Sequence, residues 1–600
     1  MKTIYNVKAL CVVALLGTTA TMSAQEDTSK KQNLEREMTL EREYDPTVQD
    51  ASKVNTLPVI KEPEVKKMPI DYANFTIAAD PAKEISLLPS GNIMTDIQYN
   101  KRRGYFNFGG GTYLNLNGDL GYHILSTDKD QLNIWFSHRS TNGKVKYLQV
   151  DEKVKAKLND NMGGLNFKHN FDKLALKMGV KYGYSGFNYY GLPIESLTPI
   201  TSSSNPTLPA ADMETNQVAQ TIKANVGVES KADAPVGYLL DLSYTNFSYK
   251  YGYSKEHDAP SEGTFNLDFG LSSGFGGNQR VGLNGNFQYF NYSLPSELKS
   301  PETKDPSTYF DNFAAATLNP YYKIEGDNWH VKLGVNAMFF SGEQKKFMAS
   351  PNISADVEVA DKTVLYLNAD GKLQSNSMYD VNRINRYANP LERLTPSRNW
   401  LDGILGIKSG VAPGFWFDVF GGYKIVSNNY FFVPTLAYGD KDYFGSACGM
   451  MNEIDTKQLL VGANLKYSYQ QLFEISLKGV YNNWTAEYSD KYSETDLAGK
   501  DATAWGMPEM EITAGVTVRP INNLSASLDY YLATGREARL GEKNVKMDNI
   551  NELNLTGAYN INDTFGLYLK LNNVLFQKYE LYYGYPLQKF SAMIGVNINF

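Results

Sequence analysis

The residue types that most often carry chemistry are few and scattered along this chain of 600 residues. Its five histidines form no pair at the helical spacing of a metal site: His123, His138, His169, His257 and His330. His138 beside Arg139, or His257 beside Asp258, could serve a hydrolase at the rim of a barrel. Each reads more simply as a solvated loop residue, and there is no phosphate-binding loop or nucleophile elbow. We therefore predict no catalytic site and no enzyme.

Metal and cofactor chemistry has equally little support. Asp440 and Asp442 could attract a cation, but two carboxylates fall short of the roughly 6 to 8 oxygens that calcium uses. The chain has 2 cysteines, and Cys11 lies within the apolar stretch near the N-terminus. Cys448 alone would remain after removal of that stretch, so neither a disulfide nor a thiolate metal site is expected. We predict no metal and no cofactor.

A binding surface is the more promising kind of chemistry. Aromatic residues crowd a predicted long connection over 429–456, and arginines recur in another over 376–398. The candidate outer-loop ligand or partner surface consists of Tyr430, Phe431, Phe432, Tyr438, Tyr443, Arg383 and Arg386. Exposed aromatics can stack on sugars or form a protein interface, and arginines can bind lipid phosphates or an acidic partner. Alternatively, the aromatics pack on each other as a lid or lie in the interfacial belt, and the arginines are merely solvated.

The elements that would position these residues are long strands. Apolar and polar residues alternate in runs such as 174–184, 281–289, 329–339, 473–478, 565–572 and 592–600. Successive side chains of a strand point to opposite faces, so each run has one apolar face and one polar face. Several runs are long enough for the roughly 9 to 11 residues of a tilted membrane strand. The mean hydropathy of -0.39 and the lack of a second long apolar run exclude a helical membrane protein.

The connections between these strands are of two kinds. Short ones are predicted at 170–173, 325–328, 519–522 and 562–563, and long ones near 141–160, 191–215, 292–307, 376–398, 429–456 and 489–506. Short and long connections alternate along the chain, as in barrels with short periplasmic turns and long outer loops. We therefore predict an all-β fold: a transmembrane antiparallel outer-membrane β-barrel of about 22 strands. The hairpin at Tyr105–Leu125 is the least clear part of this count, and the alternatives are 20 or 24 strands.

The last run resembles the terminal strand recognised by the barrel-assembly machinery. Its signal residues are Ile594, Val596, Ile598 and Phe600, which alternate with Gly595, Asn597 and Asn599. A closed barrel gives every backbone N–H and C=O in lipid an internal partner without any apolar helix.

Three regions precede or make up this barrel. Residues 1–24 predict a cleaved secretory signal, because two lysines are followed by an apolar stretch that is too short to span a membrane. Residues 25–97 are charged and rich in proline, which predicts an irregular periplasmic segment, either a spacer or a segment that docks into the lumen or onto a partner. Residues 98–600 form the predicted barrel.

The C-terminal residues also resemble those of TonB-dependent receptors. The similarity lies in Asn573-Val574-Leu575-Phe576-Gln577-Lys578-Tyr579, in Gly584-Tyr585-Pro586 and in the closing strand. The strand count agrees, whereas Leu587-Gln588-Lys589 departs from the family's usual glycine and arginine. That family fills its barrel with an N-terminal plug domain of well over a hundred residues. The 73 residues of 25–97 lack such a pattern and carry no energy-coupling box, so the family's plug residues have no counterpart here.

The resemblance implies transport or uptake of a solute across the outer membrane of a Gram-negative-type bacterium. The gate would be the chain's own loops, its N-terminal segment or a partner. The alternative is a non-transporting barrel, a scaffold subunit of an outer-membrane assembly or secretion complex. Expected partners are outer-membrane lipid, the barrel-assembly machinery and an envelope lipoprotein or periplasmic protein. Nucleic acid is not expected, because the net charge of -7 becomes -9 when Lys2 and Lys8 are cleaved off.

Overall fold

The computed structural model describes most of the predicted barrel. The described residues are 102–192, 215–231, 234–252, 259–294, 311–341, 347–392, 394–410, 412–434, 446–490 and 497–600. The predicted signal peptide and the 25–97 segment lie outside them. His257, Asp440, Asp442, Tyr438 and Tyr443 also lie outside the described residues.

The first half of the sheet is a continuous series of antiparallel neighbours. Its strands are β1 (Gly104–Gly111), β2 (Leu116–Ser126), β3 (Asp130–Lys146), β4 (Lys153–Asn170), β5 (Leu174–Asn188), β6 (Asn216–Ser230), β7 (Val236–Tyr249), β8 (Ser261–Phe275), β9 (Gln279–Ser293), β10 (Phe313–Glu325) and β11 (Trp329–Phe340). The predicted hairpin at Tyr105–Leu125 is formed by β1 and β2, which are joined by a single 3₁₀ turn at Thr112–Leu114.

The second half continues in the same way. Its strands are β12 (Phe347–Ala360), β13 (Thr363–Gln374), β14 (Ser397–Ser409), β15 (Phe415–Pro434), β16 (Cys448–Tyr469), β17 (Phe473–Tyr488), β18 (Asp501–Ala502), β19 (Met510–Ile521), β20 (Leu524–Thr534), β23 (Ile550–Asn560), β24 (Phe565–Asn572) and β27 (Ser591–Asn599). Two small hairpins stand apart from this sheet: β21 (Glu537–Leu540) with β22 (Lys543–Lys546), and β25 (Glu580–Tyr582) with β26 (Tyr585–Pro586).

The large sheet closes on itself because β1 pairs with β27. Of its 23 strands, β18 adds only two residues beside β17, so 22 strands form the wall of the barrel. Backbone hydrogen bonds between Gly104 and Phe600, at 2.8 and 2.9 Å, complete the seam. The predicted fold class and strand number are confirmed, and the fold is that of an outer-membrane barrel.

The two faces of the wall follow from the alternation in the sequence. On β5, Met178, Val180 and Tyr182 are exposed to the outside, whereas Lys177 and Lys181, which alternate with them, point into the lumen. The same holds on β27, where Ile594 is 66% exposed and Val596 and Phe600 also lie on the outer face. An apolar outer band of this kind is what a barrel presents to lipid.

Short turns occupy the end of the barrel that also contains Gly104 and Phe600, which is the periplasmic end in barrels of this type. Two predicted outer loops are shorter than expected. β3 and β4 pair as far as Lys146 and Lys153, and β15 and β16 pair as far as Pro434 and Cys448. Strand pairing there continues beyond the apolar band. Around Val145 and Ala156, which are buried, apolar residues alternate with lysines over only a few positions, and the sequence analysis placed this short pattern in a loop.

The connection between β13 and β14 contains the helix α1 (Met378–Ile384). The sequence predicted only a long loop at this position. No helix among the described residues is long and apolar enough to cross a membrane.

Candidate functional site: the outer cap

The connections at the outer end of the barrel fold together instead of standing apart. We call this assembly the outer cap. It comprises the α1 loop (375–396, described except for residue 393), the 573–590 connection, residues 189–192 and the outer ends of β15 and β16. Buried clusters of apolar side chains run through it. The cap is the part of the described structure that bears on passage through the barrel.

The helix α1 is held at its N-terminus by two side chains. Ser377 is the N-cap residue, and its hydroxyl accepts a hydrogen bond from the Asp380 N–H at 3.2 Å. Glu262, on the lumen side of β8, accepts the Met378 N–H at 2.6 Å and the Tyr379 N–H at 3.4 Å. A helix of 7 residues is too short to persist alone in water, so these contacts with the wall keep α1 in place.

The end of the α1 loop that follows the helix is bound to another part of the wall. Nη1 of Arg386 donates to both oxygens of Asp160 on β4, at 2.8 and 2.9 Å, and to Oγ of Ser185 on β5 at 3.1 Å. β4 and β14 are 14 − 4 = 10 positions apart in a ring of 22 strands, which is nearly opposite. The α1 loop therefore crosses the lumen, which is about 40 Å wide for this strand number.

Beyond this crossing the loop joins the outer end of β16. Ala388 forms a parallel bridge with Cys448, in which the Cys448 N–H donates to the Tyr387 carbonyl at 2.7 Å. Glu392 accepts the Met450 N–H at 2.6 Å. The α1 loop is thus fixed at three separate places on the wall, at β8, at β4–β5 and at β16.

Tyrosines fill the centre of the cap. The ring of Tyr387 stacks on Tyr585 at 4.7 Å between centroids and meets Tyr190 edge-on at 5.2 Å. The Tyr585 hydroxyl donates to the Ser446 carbonyl, which joins the 573–590 connection to the segment before β16. Three segments from different places in the ring therefore meet at one aromatic cluster, which has the packing of a core and not of a solvated loop.

The 573–590 connection is organised around a buried arginine. Arg536 is 1% exposed and donates to the carbonyls of Leu581, Asp548 and Glu580 at 2.9 to 3.2 Å. The carboxylate of Glu580 accepts the Gly584 N–H and the Gln149 amide, each at 3.0 Å. Burial lowers the pKa of the Arg536 guanidinium to about 10, so it stays charged at neutral pH.

Several carboxyl groups of the cap have pKa values above the ordinary range for a carboxyl. Burial raises the pKa of Glu392 to about 7, although the Met450 N–H and Asn389 act in the opposite direction. Burial likewise raises the pKa of Glu580 to about 7, and it raises the pKa of Asp380 on α1. A desolvated carboxyl that gains only partial compensation from hydrogen bonds behaves in this way. The cap therefore carries groups that change charge near neutral pH.

The predicted surface residues lie mainly inside this cap. Tyr430 and Phe431 are 2% and 3% exposed strand residues of β15, and Phe432 packs edge-on against Tyr582 at 5.2 Å. Together with Trp505 they line a pocket of about 30 Å³. These aromatic side chains are therefore packed against other cap residues and are not exposed. Ligand binding by these residues stays a prediction.

The two predicted arginines have different surroundings. Arg386 makes the Asp160 contact, whereas Arg383 is exposed on α1 with its guanidinium 5.7 Å from the Tyr379 ring. The sequence missed Glu262, Asp160 and Arg536 as organising residues. Each is a single charged residue in an otherwise ordinary stretch, and only the closed barrel brings it to its partner. The described residues contain no group of side chains suited to a metal ion.

Comparisons with known proteins agree with this architecture. No protein-family model and no curated protein matches the chain. Among solved structures, the siderophore receptor PirA from Acinetobacter baumannii aligns with a TM-score of 0.61 at 9% identity, covering 84% of this chain and 81% of that one. A mutant of the ferric enterobactin receptor PfeA from Pseudomonas aeruginosa aligns with a TM-score of 0.60 at 10% identity, covering 83% and 80%.

A third structure gives the same result. The ferric-catecholate import receptor Fiu from Escherichia coli K12, in a closed form, aligns with a TM-score of 0.57 at 10% identity, covering 84% and 82%. At such identities the likeness shows the fold alone. The chain therefore has the barrel fold of TonB-dependent outer-membrane receptors, as its C-terminal residues predicted.

Proposed function

We propose that this protein takes up a solute across the outer membrane and that the outer cap is its gate. The observation that carries the proposal is the α1 loop, which crosses the lumen and is attached by the Arg386 side chain at β4–β5 and by backbone hydrogen bonds at β16. A polar lumen beneath a movable cover is the arrangement that controlled passage requires. Among the proteins of similar fold, Fiu is an import receptor for ferric catecholates and PirA is a siderophore receptor.

The contacts that hold the loop suit a gate because they are hydrogen bonds, which can break and form again reversibly. Arg386 and Asp160 share charge-assisted hydrogen bonds, each of about 1.5 to 3 kcal/mol. Glu262 adds hydrogen bonds to two backbone N–H groups of α1. A ligand that competes for one of these groups at the outer surface would weaken the closed state by a similar amount.

The alternative of a non-transporting scaffold has one observation in its favour. The aromatic cluster of Tyr387, Tyr585 and Tyr190 is packed like a permanent core. A barrel that is closed for good would serve as a membrane anchor for an assembly or secretion complex, with an envelope lipoprotein or periplasmic protein as its partner.

The test is single-channel conductance of the full-length protein in a planar bilayer, compared with the double variant R386A/E262A. We expect the unchanged protein to be silent apart from rare openings and the variant to conduct steadily, because the α1 loop has lost two of its three attachments. The matched control is K146A, which removes the exposed Lys146–Asp151 ion pair at another outer loop.

Silence from both the unchanged protein and R386A/E262A, with correct folding of each, would contradict the gate. Stable co-purification of both with the same envelope protein would then establish the scaffold. Steady conductance from the unchanged protein would show that the cap does not close the lumen.

A further inference from the structure

The lumen wall beneath the cap carries two lysines that form no ion pair with any described carboxylate. Lys181 on β5 and Lys223 on β6 lie directly opposite each other in the strand register. Their sequence neighbours Val180 and Ile222 are exposed on the lipid side, so both lysines face the lumen. Like charges directly opposite each other destabilise an antiparallel pair. Stability of the sheet therefore gives no reason for this arrangement.

A third cation approaches from the cap. Arg383 is exposed on α1, three residues before Arg386, which contacts Ser185 on the lumen face of β5. Among the residues that the structure describes, none of the three cations has an ion-pair partner. The α1 loop thus brings its guanidinium to the place where the wall already presents two ammonium groups.

The nearest carboxylates are engaged elsewhere. Glu229 pairs with Lys177 at 2.6 Å. Asp241 on β7 lies opposite Gly227, which is four residues, or about 13 Å, along β6 from Lys223. Asp380 is buried within α1, where serine hydroxyls hold it. The space between the wall and α1 is therefore left with an excess of positive charge.

We propose that Lys181, Lys223 and Arg383 form a binding site for an oxyanion, the carboxylate or phosphate group of a small solute, on the lumen wall just inside the outer cap. Ammonium and guanidinium groups together supply the donors that such an anion accepts. The site rests on the proposed uptake function and names the chemical class of its solute.

The position of the site links it to the gate. On the lumen face of β5, Lys181 lies about 13 Å below Ser185, the residue that Arg386 contacts. Arg383 and Arg386 belong to the same loop, so movement of that loop takes one of the three cations away from the other two. A solute bound at the closed cap would be released toward the lumen as the cap opens.

The experiment measures binding by lysine labelling of the full-length protein in detergent. Acetic anhydride modifies accessible lysines, and mass spectrometry gives the rate at each position. Inorganic phosphate is the probe, with potassium chloride at equal ionic strength as the control. We expect phosphate to slow labelling of Lys181 and Lys223 about tenfold, while the lumen-facing Lys332 on β11 keeps its rate. The closed cap could keep phosphate away from these lysines. The D160N variant is therefore also tested, because it weakens the Arg386 contact and loosens the α1 loop.

The variant R383Q should weaken the phosphate protection about tenfold, and R383K should restore part of it. Equal protection by chloride, no protection in either the unchanged protein or D160N, or full protection in R383Q would overturn the proposal. Labelling registers binding without transport. If phosphate protected the lysines of a protein that never conducts, the proposed anion site would stand and the proposed gate would be wrong.

Discussion

At the scale of single residues, the cap depends on charged groups that are buried beside backbone N–H and C=O groups. Arg536 binds three carbonyls, whereas Glu392 and Glu580 bind N–H groups of neighbouring segments. Such groups connect segments that share no strand pairing. Their burial is costly unless hydrogen bonds compensate it, and the raised pKa values of the two glutamates show that compensation is incomplete.

The first prediction concerns pH. Glu392 and Glu580 have pKa values of about 7 in the closed cap against an ordinary 4.5, so the closed cap binds protons more tightly than an open one. Protonation therefore stabilises the closed cap. This contribution is complete below about pH 4.5 and is lost as the pH rises to about 7.

Hydrogen exchange, corrected for the intrinsic effect of pH, measures this. The amides of 446–452 and 580–587 should be better protected at pH 5 than at pH 8, and amides within the barrel strands should not change. The isosteric variant E392Q keeps an acceptor for the Met450 N–H and should flatten the profile of 446–452. An E392Q profile as steep as that of the unchanged protein would mean that another group is responsible.

At the scale of elements, α1 is a short helix that exists because of the wall beside it. Its Ser377 cap is local and readable from sequence, but Glu262 comes from β8, 116 residues away along the chain. The loop thus has a helical segment only when the barrel is closed around it.

The second prediction follows from this dependence. Replacing Glu262 by Ala leaves the Met378 and Tyr379 N–H groups without their acceptor and should cost the loop about 1 to 3 kcal/mol. Exchange at 378–384 should accelerate about tenfold or more while that of β8 stays slow. The control is E229A on β6, which removes the partly exposed pair with Lys177. If E262A and E229A affected α1 equally, the anchoring role of Glu262 would be wrong.

At the scale of the whole molecule, the barrel closes where β27 lies between β24 and β1. The assembly-signal residues predicted from sequence include Ile594 and Val596, which lie on its lipid face. Gly595 between them faces the lumen, where an added Cβ would collide with the Tyr568 ring. The strand is thus apolar on its lipid face, and on its lumen face Gly595 leaves room for the Tyr568 ring.

The third prediction tests this strand. Placing a charge on its lipid face with I594D should cost up to roughly 2 kcal/mol and reduce the folded, heat-modifiable form on an unboiled gel. The lumen-facing change N597D introduces the same charge on the opposite side and should be tolerated. Equal loss of folded protein in both variants would show that the lipid face of β27 is not what matters.

The sequence by itself determined the wall of the barrel. Alternation such as that of 174–184 or 592–600 specifies which face meets lipid, because side chains of a strand point alternately to its two sides. The distribution of short and long connections then predicted about 22 strands, and the structure has that number. These are local properties, and each can be read from a window of a few residues.

Only the tertiary structure decided the cap. Arg386 meets Asp160, Glu262 meets α1 and Tyr387 meets Tyr585 because a closed ring brings together segments that lie about 100 to 230 residues apart. The sequence identified Arg386 and the aromatics of β15 as unusual but placed them on an exposed loop. A local sequence pattern does not show which distant residue a side chain will contact, since only closure of the ring brings the two segments together.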